Sequence, residues 1–268
     1  MANTPIPKSE NLSSPESNFK AFLELVHILR RECPWDIKQT NESIGPLMIE
    51  ETYEVQDAIR NGDWKELSKE LGDILLHVVM HSVIASEDES KFDINDVISG
   101  IHTKLVSRHP HVFGEKEVSG EKEILDNWEK LKRKEGKKRT LDGIPSALPA
   151  LLRAERIQTK AARVGFDWPD SEGAWAKVRE ELEELMVAKE KLGQKELEEE
   201  IGDVLFSVVN ATRKEGMVAE ELLAKTADKF KRRFEYIEAA LEQEGKLMEQ
   251  STLSEMDSLW DEAKREGL

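Results

Sequence analysis

Apolar residues recur every three or four positions along most of the chain, which is the spacing of amphipathic α-helices. The segment 18–31 is typical, with apolar side chains at Phe19, Phe22, Val26 and Leu29. No stretch sustains the strict alternation of apolar and polar positions that predicts a β-strand. The pattern therefore predicts an all-α protein.

The limits of the helices follow from capping and breaking residues. Asn61-Gly62 is a signal for a helix C-terminus, and Asp63 can cap the helix that follows. In the first half the predicted helices span 18–31, 44–60, 64 to about 87, 94–108 and 121–134. In the second half they span 148–162, 172–191, 194–213 and 217–243, and a last helix contains Trp260.

The two halves are repeats of each other. The stretch 70–79 places two carboxylates at i and i+3 among apolar residues, and the stretch 200–209 does the same. Four acids recur at a single offset of 130 positions, in the pairs Glu51 and Glu181, Glu54 and Glu184, Glu70 and Glu200, and Asp73 and Asp203. The repeat favours two tandem helical bundles. We expect a flexible tail at 1–17, an N-terminal domain at 18–135, a basic linker at 136–147 and a C-terminal domain at 148–268.

Composition and charge narrow the class of protein. With a formal net charge of -16, most of the surface would repel nucleic acids and anionic membranes. Basic residues concentrated at 130–139 predict a solvated helix end and linker rather than a nucleic-acid site. Cys33 is the only cysteine, which excludes an intrachain disulfide and favours a reducing compartment. The sequence has no evident secretory signal or membrane span, so we expect a cytoplasmic protein.

The repeated carboxylates point to metal chemistry. Two adjacent helices that each offer acids at i and i+3 can bring four carboxylates to one point inside a bundle. Buried carboxylates need a compensating partner, and hard oxygen ligands suit Mg²⁺ or Mn²⁺ better than Zn²⁺. Lys104 with Arg108, and Lys229 with Arg233, lie at i and i+4 and could contact phosphate groups. The alternative is that these residues form solvated helix faces. The apolar neighbours of Asp73 and Asp203 disfavour it for those two acids, whereas it stays open for Glu50-Glu51, and Lys and Arg pairs taken alone are more often on the surface than in a site.

Histidine is not part of any chemistry that the two halves share, because all six histidines lie in the first half. His77 and His81 have a metal-like spacing, but Ser207 and Ala211 occupy the matching positions, which favours packing or polar contacts. No glycine-rich phosphate-binding loop occurs in the sequence. Phosphate binding would therefore rely on metal and basic side chains.

The acidic motifs resemble those of the MazG family of all-α nucleoside triphosphate pyrophosphohydrolases. The first set is Glu50-Glu51-x-x-Glu54 followed by Glu70-x-x-Asp73, and the second is Glu180-Glu181-x-x-Glu184 followed by Glu200-x-x-Asp203. Further matches are Cys33-Pro34-Trp35-Asp36 and the segments 108–114 and 164–168. The resemblance covers nearly the whole chain after the tail, and the tandem arrangement is that of full-length members.

The resemblance implies a helical-bundle homodimer and Mg²⁺-dependent hydrolysis of a nucleoside triphosphate to the monophosphate and pyrophosphate. It implies eight metal ligands, namely Glu51, Glu54, Glu70, Asp73, Glu181, Glu184, Glu200 and Asp203. It also implies nucleotide contacts from Lys104, Arg108, Trp128, Lys229, Arg233 and Trp260. Taken without the resemblance, the two tryptophans would be packing residues by default.

Two points stay open at the level of the sequence. Glu50 and Glu180 point about 100° away from the next acid on an ideal helix, so they either act on water or lie on the surface. A lysine that the family can carry four residues before the second acid pair is absent, since Glu66 and Glu196 stand there. The adjacent lysines, at 65 and 195, are candidates to replace it. The main alternative function is a regulatory protein that binds nucleotide or metal without turnover.

Overall fold

The computed structural model describes residues 4–114, Gly120 and residues 139–268. The chain divides into two compact units, Met1–Ser119 and Gly120–Leu268. All regular secondary structure in the described residues is helical, which confirms the prediction of an all-α fold. The predicted helix at 121–134, including Trp128, lies outside the described residues.

Over residues 4–114, which the structure describes, the first unit has four long helices and one short one. These are α1 (Pro15–Glu32), α2 (Asn41–Asn61), α3 (Trp64–Ala85), α4 (Ile94–Arg108) and α5 (Pro110–Phe113), with a 3-10 turn at Asp36–Lys38. Its buried apolar core consists of Val26, Ile44, Val79, Met80, Val83 and Ile94. These residues come from α1, α2, α3 and the start of α4, so the core joins the four long helices.

Within its described residues, Gly120 and 139–268, the second unit has five helices. These are α6 (Ala150–Ala162), α7 (Ser171–Lys191), α8 (Gln194–Lys214), α9 (Ala219–Gln243) and α10 (Leu253–Arg265), with a 3-10 turn at Met248–Gln250. Ala174, Val178 and Ala211 form a small buried cluster between α7 and α8. In the described part of the chain, no helix is long and apolar enough to cross a membrane.

Several helix limits differ from those predicted, for local reasons. The first helix begins at Pro15 rather than near residue 18, because the Ser14 side chain caps it and proline suits the first helical position. The helix predicted from residue 217 begins at Ala219 instead. The backbone N–H of Met217 donates to the Thr212 carbonyl and so belongs to the end of α8.

Short connections pair the helices that carry the acids. Gly62 and Asp63 join α2 to α3, and Gly62 adopts the left-handed conformation with φ of 65°. The Asp63 side chain accepts hydrogen bonds from the backbone of the first turn of α3, which confirms its predicted capping role. Leu192 and Gly193 form an equally short connection between α7 and α8. Each pair packs together as an antiparallel hairpin, so acids on the two helices can face one another.

Candidate metal centres

The first unit brings together three of its four predicted metal ligands. Carboxylate oxygens of Glu51, Glu70 and Asp73 all lie within 4.8 Å of one another, between α2 and α3. Glu70 is 1% exposed, and its Oε2 atom is buried without a hydrogen-bond partner among the described residues. An orphaned buried carboxylate oxygen is unfavourable without a compensating cation, so the donor set fits a divalent metal.

Electrostatics in the first cluster reflect crowding of like charges. Burial, followed by the charges of Asp73, Glu54 and Glu70, raises the pKa of Glu51. The pKa of Glu54 is also raised, chiefly by the charge of Glu70. Glu54 lies outside the three-carboxylate group, but this effect places its charge close to Glu70. Both shifts mean that the ionised acids repel one another, which favours the binding of a cation.

The second unit also brings three acids together, but they are not all the counterparts of the three in the first unit. Here Glu181, Glu184 and Glu200 bring carboxylate oxygens within 4.8 Å of one another. Asp203 is exposed and is not one of the three, although its charge contributes to the raised pKa of Glu200. Burial of Glu200 is the largest cause of that shift, followed by the charge of Glu184. The two clusters therefore share a chemistry but not an identical geometry.

A lysine contacts each cluster, and the two lysines come from different helices. In the first unit Lys69 Nζ lies 2.7 Å from Glu70 Oε1, and this contact lowers the pKa of Glu70. In the second unit Lys177 Nζ lies 2.7 Å from Glu181 Oε1. The sequence pattern drew attention to neither lysine as a site residue. The spacing of Lys177 and Glu181 at i and i+4 was the available signal.

Glu50 and Glu180 lie outside the three-carboxylate groups. Both residues are exposed, and Glu180 Oε1 lies 2.7 Å from the Nζ atom of Lys177. Lys177 therefore bridges Glu180 to Glu181 at the edge of the second cluster. This contact fixes the Glu180 carboxylate near the cluster, whereas no such contact is described for Glu50.

The predicted nucleotide-binding residues are only partly brought together. In the second unit the Arg233 guanidinium carbon lies 5.4 Å from the centre of the Trp260 ring, a cation–π arrangement. The Trp260 ring centre is in turn 5.0 Å from that of Phe230. Lys229 is exposed on the same helix as Arg233. In the first unit Lys104 and Arg108 both lie on α4, whose predicted tryptophan partner falls outside the described residues.

Lys195, one of the two lysines considered as substitutes near the acid pairs, pairs with Glu199 rather than with the second cluster. Lys195 Nζ lies 3.6 Å from Glu199, and its side chain is 82% exposed. At the matching place in the first unit, Glu66 accepts a hydrogen bond from Lys69. Of the two histidines on α3, His81 makes the expected polar contact, with its Nδ1 atom 2.8 Å from Asn41 Oδ1, whereas His77 Nδ1 is buried without a hydrogen-bond partner in the described structure. Burial lowers the pKa of both His77 and His81.

These observations define a class of protein, a tandem all-α chain with a carboxylate cluster suited to a divalent metal in each described unit. Comparison with known proteins gives the family. Two segments, 39–113 and 171–237, match the model of the MazG nucleotide pyrophosphohydrolase domain. The chain belongs to the MazG family, as the motifs predicted. The matched segments include both sets of acids.

Several curated relatives are similar over most of the chain. A protein of Escherichia coli K12 named nucleoside triphosphate pyrophosphohydrolase is 42% identical over 240 residues, which cover 87% of this chain and 91% of that protein. A Thermotoga maritima protein named nucleoside triphosphate pyrophosphohydrolase/pyrophosphatase MazG is 43% identical over 251 residues, covering 91% and 95%. YabN of Bacillus subtilis, described as uncharacterized, is 44% identical over 252 residues, covering 92% of this chain and 51% of its own length.

Proposed function

We propose that the protein hydrolyses nucleoside triphosphates to nucleoside monophosphates and pyrophosphate, with Mg²⁺ or Mn²⁺ as the cofactor. The observation that carries this proposal is the pair of three-carboxylate clusters in a chain of the MazG family. The names of the Escherichia coli and Thermotoga maritima relatives support the reaction. The all-oxygen donor sets support the choice of metal.

In this proposal the acids on each helix hairpin are the ligands of the metal. The ligands are Glu51, Glu54, Glu70 and Asp73 in the first unit, and Glu181, Glu184, Glu200 and Asp203 in the second. A divalent metal held there neutralises phosphate charge and makes a bound water more acidic. Glu54 and Asp203 lie outside the three-carboxylate groups, and the electrostatic coupling of each to its cluster supports its inclusion.

The remaining roles belong to the basic, aromatic and outlying acidic residues. Basic side chains at Lys104, Arg108, Lys229 and Arg233 hold the phosphates and stabilise the charge of the departing pyrophosphate. Trp260, and Trp128 in the first half, contact the nucleotide. Glu50 and Glu180 accept a proton from the attacking water. The contact between Glu180 and Lys177 supports this role, because it holds the Glu180 carboxylate beside the second cluster.

The products test the reaction type directly. The protein is incubated with each of the four common nucleoside triphosphates and Mg²⁺, and the products are separated by anion exchange. We expect monophosphate and pyrophosphate in equal amounts and no turnover after chelation of the metal. Appearance of a nucleoside diphosphate and orthophosphate would contradict the proposal. Binding of nucleotide without any product would favour a regulatory role instead.

We further propose that the protein acts as a homodimer in the cytoplasm. Exposed apolar residues along α7 and α8 support the dimer, because they form a face that a second subunit can cover. These residues are Leu182, Met186, Ile201 and Leu205, which are 45–55% exposed. A face of this kind is unfavourable in water unless another surface covers it. Light scattering coupled to gel filtration should give twice the mass of the chain. A monomer mass at micromolar concentration would contradict the dimer.

A further inference from the structure

The second unit contains a cavity that the predicted site residues do not account for. It has a volume of about 520 Å³ and lies between α6, α8 and the segment 165–168. Its walls are mostly apolar and include Ile157, Ala161, Phe166, Trp168 and Phe206. Cavities of a few hundred cubic ångströms with apolar walls and a few polar groups are typical of small-molecule sites.

One buried polar side chain lines this cavity and has an unused hydrogen-bonding atom. Gln158 is 7% exposed, and its Nε2 atom donates to the backbone carbonyl oxygen of Phe206 at 2.8 Å. This contact determines the orientation of the amide, because only the nitrogen can donate to a carbonyl. The Oε1 atom is left buried, without a partner in the described structure. A buried acceptor without a donor is unfavourable, so the cavity is suited to a ligand that supplies one.

The cavity is held open by contacts at its rim. Arg213 on α8 donates to Asp167 Oδ1 at 2.6 Å, and Lys214 donates to the carbonyl oxygen of Trp168 at 2.7 Å. These bonds fasten the segment 165–168 to α8. Gly165 allows the turn into this segment, with φ of 89°. A site formed before the ligand arrives loses less free energy to ordering when the ligand binds.

The position of the cavity relates it to the second cluster. Phe206 follows Asp203 by three residues on α8, so the two side chains lie on neighbouring parts of one helix face. That separation corresponds to about 4.5 Å of rise along the helix. Glu200 lies one further turn toward the N-terminus of α8. A ligand with a charged end and a flat apolar end could therefore meet the acids and the cavity together.

We propose that this cavity receives the base of a nucleotide and that Gln158 recognises it, with Oε1 accepting a hydrogen bond from an N–H group on the edge of the base. The rings of Phe166, Trp168 and Phe206 offer surfaces on which a base can stack. This inference rests on the proposed function, since it is the nucleotide's phosphates that relate the cavity to the acids. Gln158 is then a specificity-determining residue, distinct from the metal ligands.

Binding of nucleosides tests the cavity without any need for hydrolysis. Adenosine, guanosine, cytidine and uridine are titrated into the full-length protein, and saturation-transfer NMR reports which protons contact it. We expect at least one nucleoside to bind, with the strongest transfer at its base protons. Gln158→Met should weaken that binding about tenfold, the effect of losing one hydrogen bond to a buried group. Gln194→Met makes the same chemical change at an exposed position on α8 and should have no effect.

A second variant leaves the glutamine intact. Ala161→Phe places a bulky side chain in the cavity and should abolish nucleoside binding, while far-ultraviolet circular dichroism checks that the protein remains helical. Absence of nucleoside binding to the unsubstituted protein, or binding that neither variant weakens, would overturn the proposal. If pyrophosphate is released from triphosphates but no nucleoside enters the cavity, the inference fails and the proposed function stands. If nucleosides bind there but no triphosphate is hydrolysed, the proposed function fails instead.

Discussion

Glu70 illustrates how the chemistry of the site depends on individual carboxylates. One of its oxygens is paired with Lys69, and the other is buried without a partner in the described structure. The sequence predicted this residue as a ligand because it is an acid among apolar neighbours on a helix that should be buried. The lysine beside it could not be predicted, because whether a neighbouring side chain turns toward an acid or toward solvent depends on packing.

Glu200 has a matched control in the residue before it. We expect Glu200→Ala to abolish turnover by the second half while the helical content stays unchanged, because removal of one acid from a repelling cluster relieves repulsion. Glu199→Ala should retain activity, since Glu199 lies outside the cluster and pairs with the largely exposed Lys195. Pyrophosphate release and circular dichroism of both variants provide the measurement. Loss of helicity in Glu200→Ala would indicate a structural role for the acid.

Lys177 competes with a metal for the Glu181 carboxylate. Hydrogen bonds to Glu180 and Glu181 raise the pKa of Lys177, so it stays charged at neutral pH. We expect Lys177→Met to bind Mg²⁺ a few-fold more tightly and to be less stable without metal, because the acids lose their only described cation. Lys195→Met serves as the control, with no change in either quantity. Calorimetric titration and thermal unfolding measure the two effects, and weaker Mg²⁺ binding would contradict the argument.

The helix hairpins are the elements that assemble the site. The pairing of α2 with α3, and of α7 with α8, was predictable from the Asn61-Gly62-Asp63 signal and from the repeat. The composition of each cluster was not predictable from spacing alone. The first group leaves out Glu54, and the second leaves out Asp203. The cavity beside Gln158 was also missed, because its walls come from four separate segments, one of which contains Leu141.

An ion pair links α1 to the end of α3. Arg30 donates to both oxygens of Glu87, at 2.6 and 2.9 Å, and also to the backbone carbonyls of Asp36 and Gln39. We expect Glu87→Gln to lower the free energy of unfolding at pH 7 by about 1 kcal/mol, a modest value because solvent screens the half-exposed carboxylate. Urea unfolding measures the change, and Glu89→Gln is a charge-matched control at an exposed position.

The effect of Glu87→Gln should depend on pH. Arg30 holds the pKa of Glu87 below its usual range, so the folded state favours the ionised carboxyl. The stabilisation is therefore fully present above the unfolded pKa of about 4.3 and is lost as the pH falls through the lower folded value. The difference between the two proteins should shrink at pH values below about 4. A difference in the free energy of unfolding that grows on acidification would contradict this expected pH dependence.

At the scale of the whole molecule, the repeat gives two sites that are related but not identical. The first cluster contains an aspartate from α3, whereas the second contains a second glutamate from α7. Histidines follow the acids on α3 but not on α8. The number of repeated motifs was evident from the sequence, but their relative activity depends on geometry that the motifs do not encode.

We expect the two halves to turn over at unequal rates. Asp73 belongs to the first three-carboxylate group, whereas its counterpart Asp203 is exposed and outside the second. Asp73→Ala and Asp203→Ala should therefore reduce turnover by different amounts under saturating nucleotide and Mg²⁺. Steady-state rates for each of the four nucleoside triphosphates provide the comparison. If each substitution removes about half of the activity with every nucleotide, the halves are equivalent and this expectation is wrong.

The account depends most on the carboxylate clusters being metal centres. Electron paramagnetic resonance of a Mn²⁺ titration counts bound metal directly, in the unsubstituted protein, in Glu70→Gln, in Glu200→Gln and in the double variant. Each single substitution should remove the binding of one half, and the double variant should bind no Mn²⁺ at concentrations that saturate the unsubstituted protein. Mn²⁺ binding that is unchanged in the double variant would contradict the assignment of both clusters.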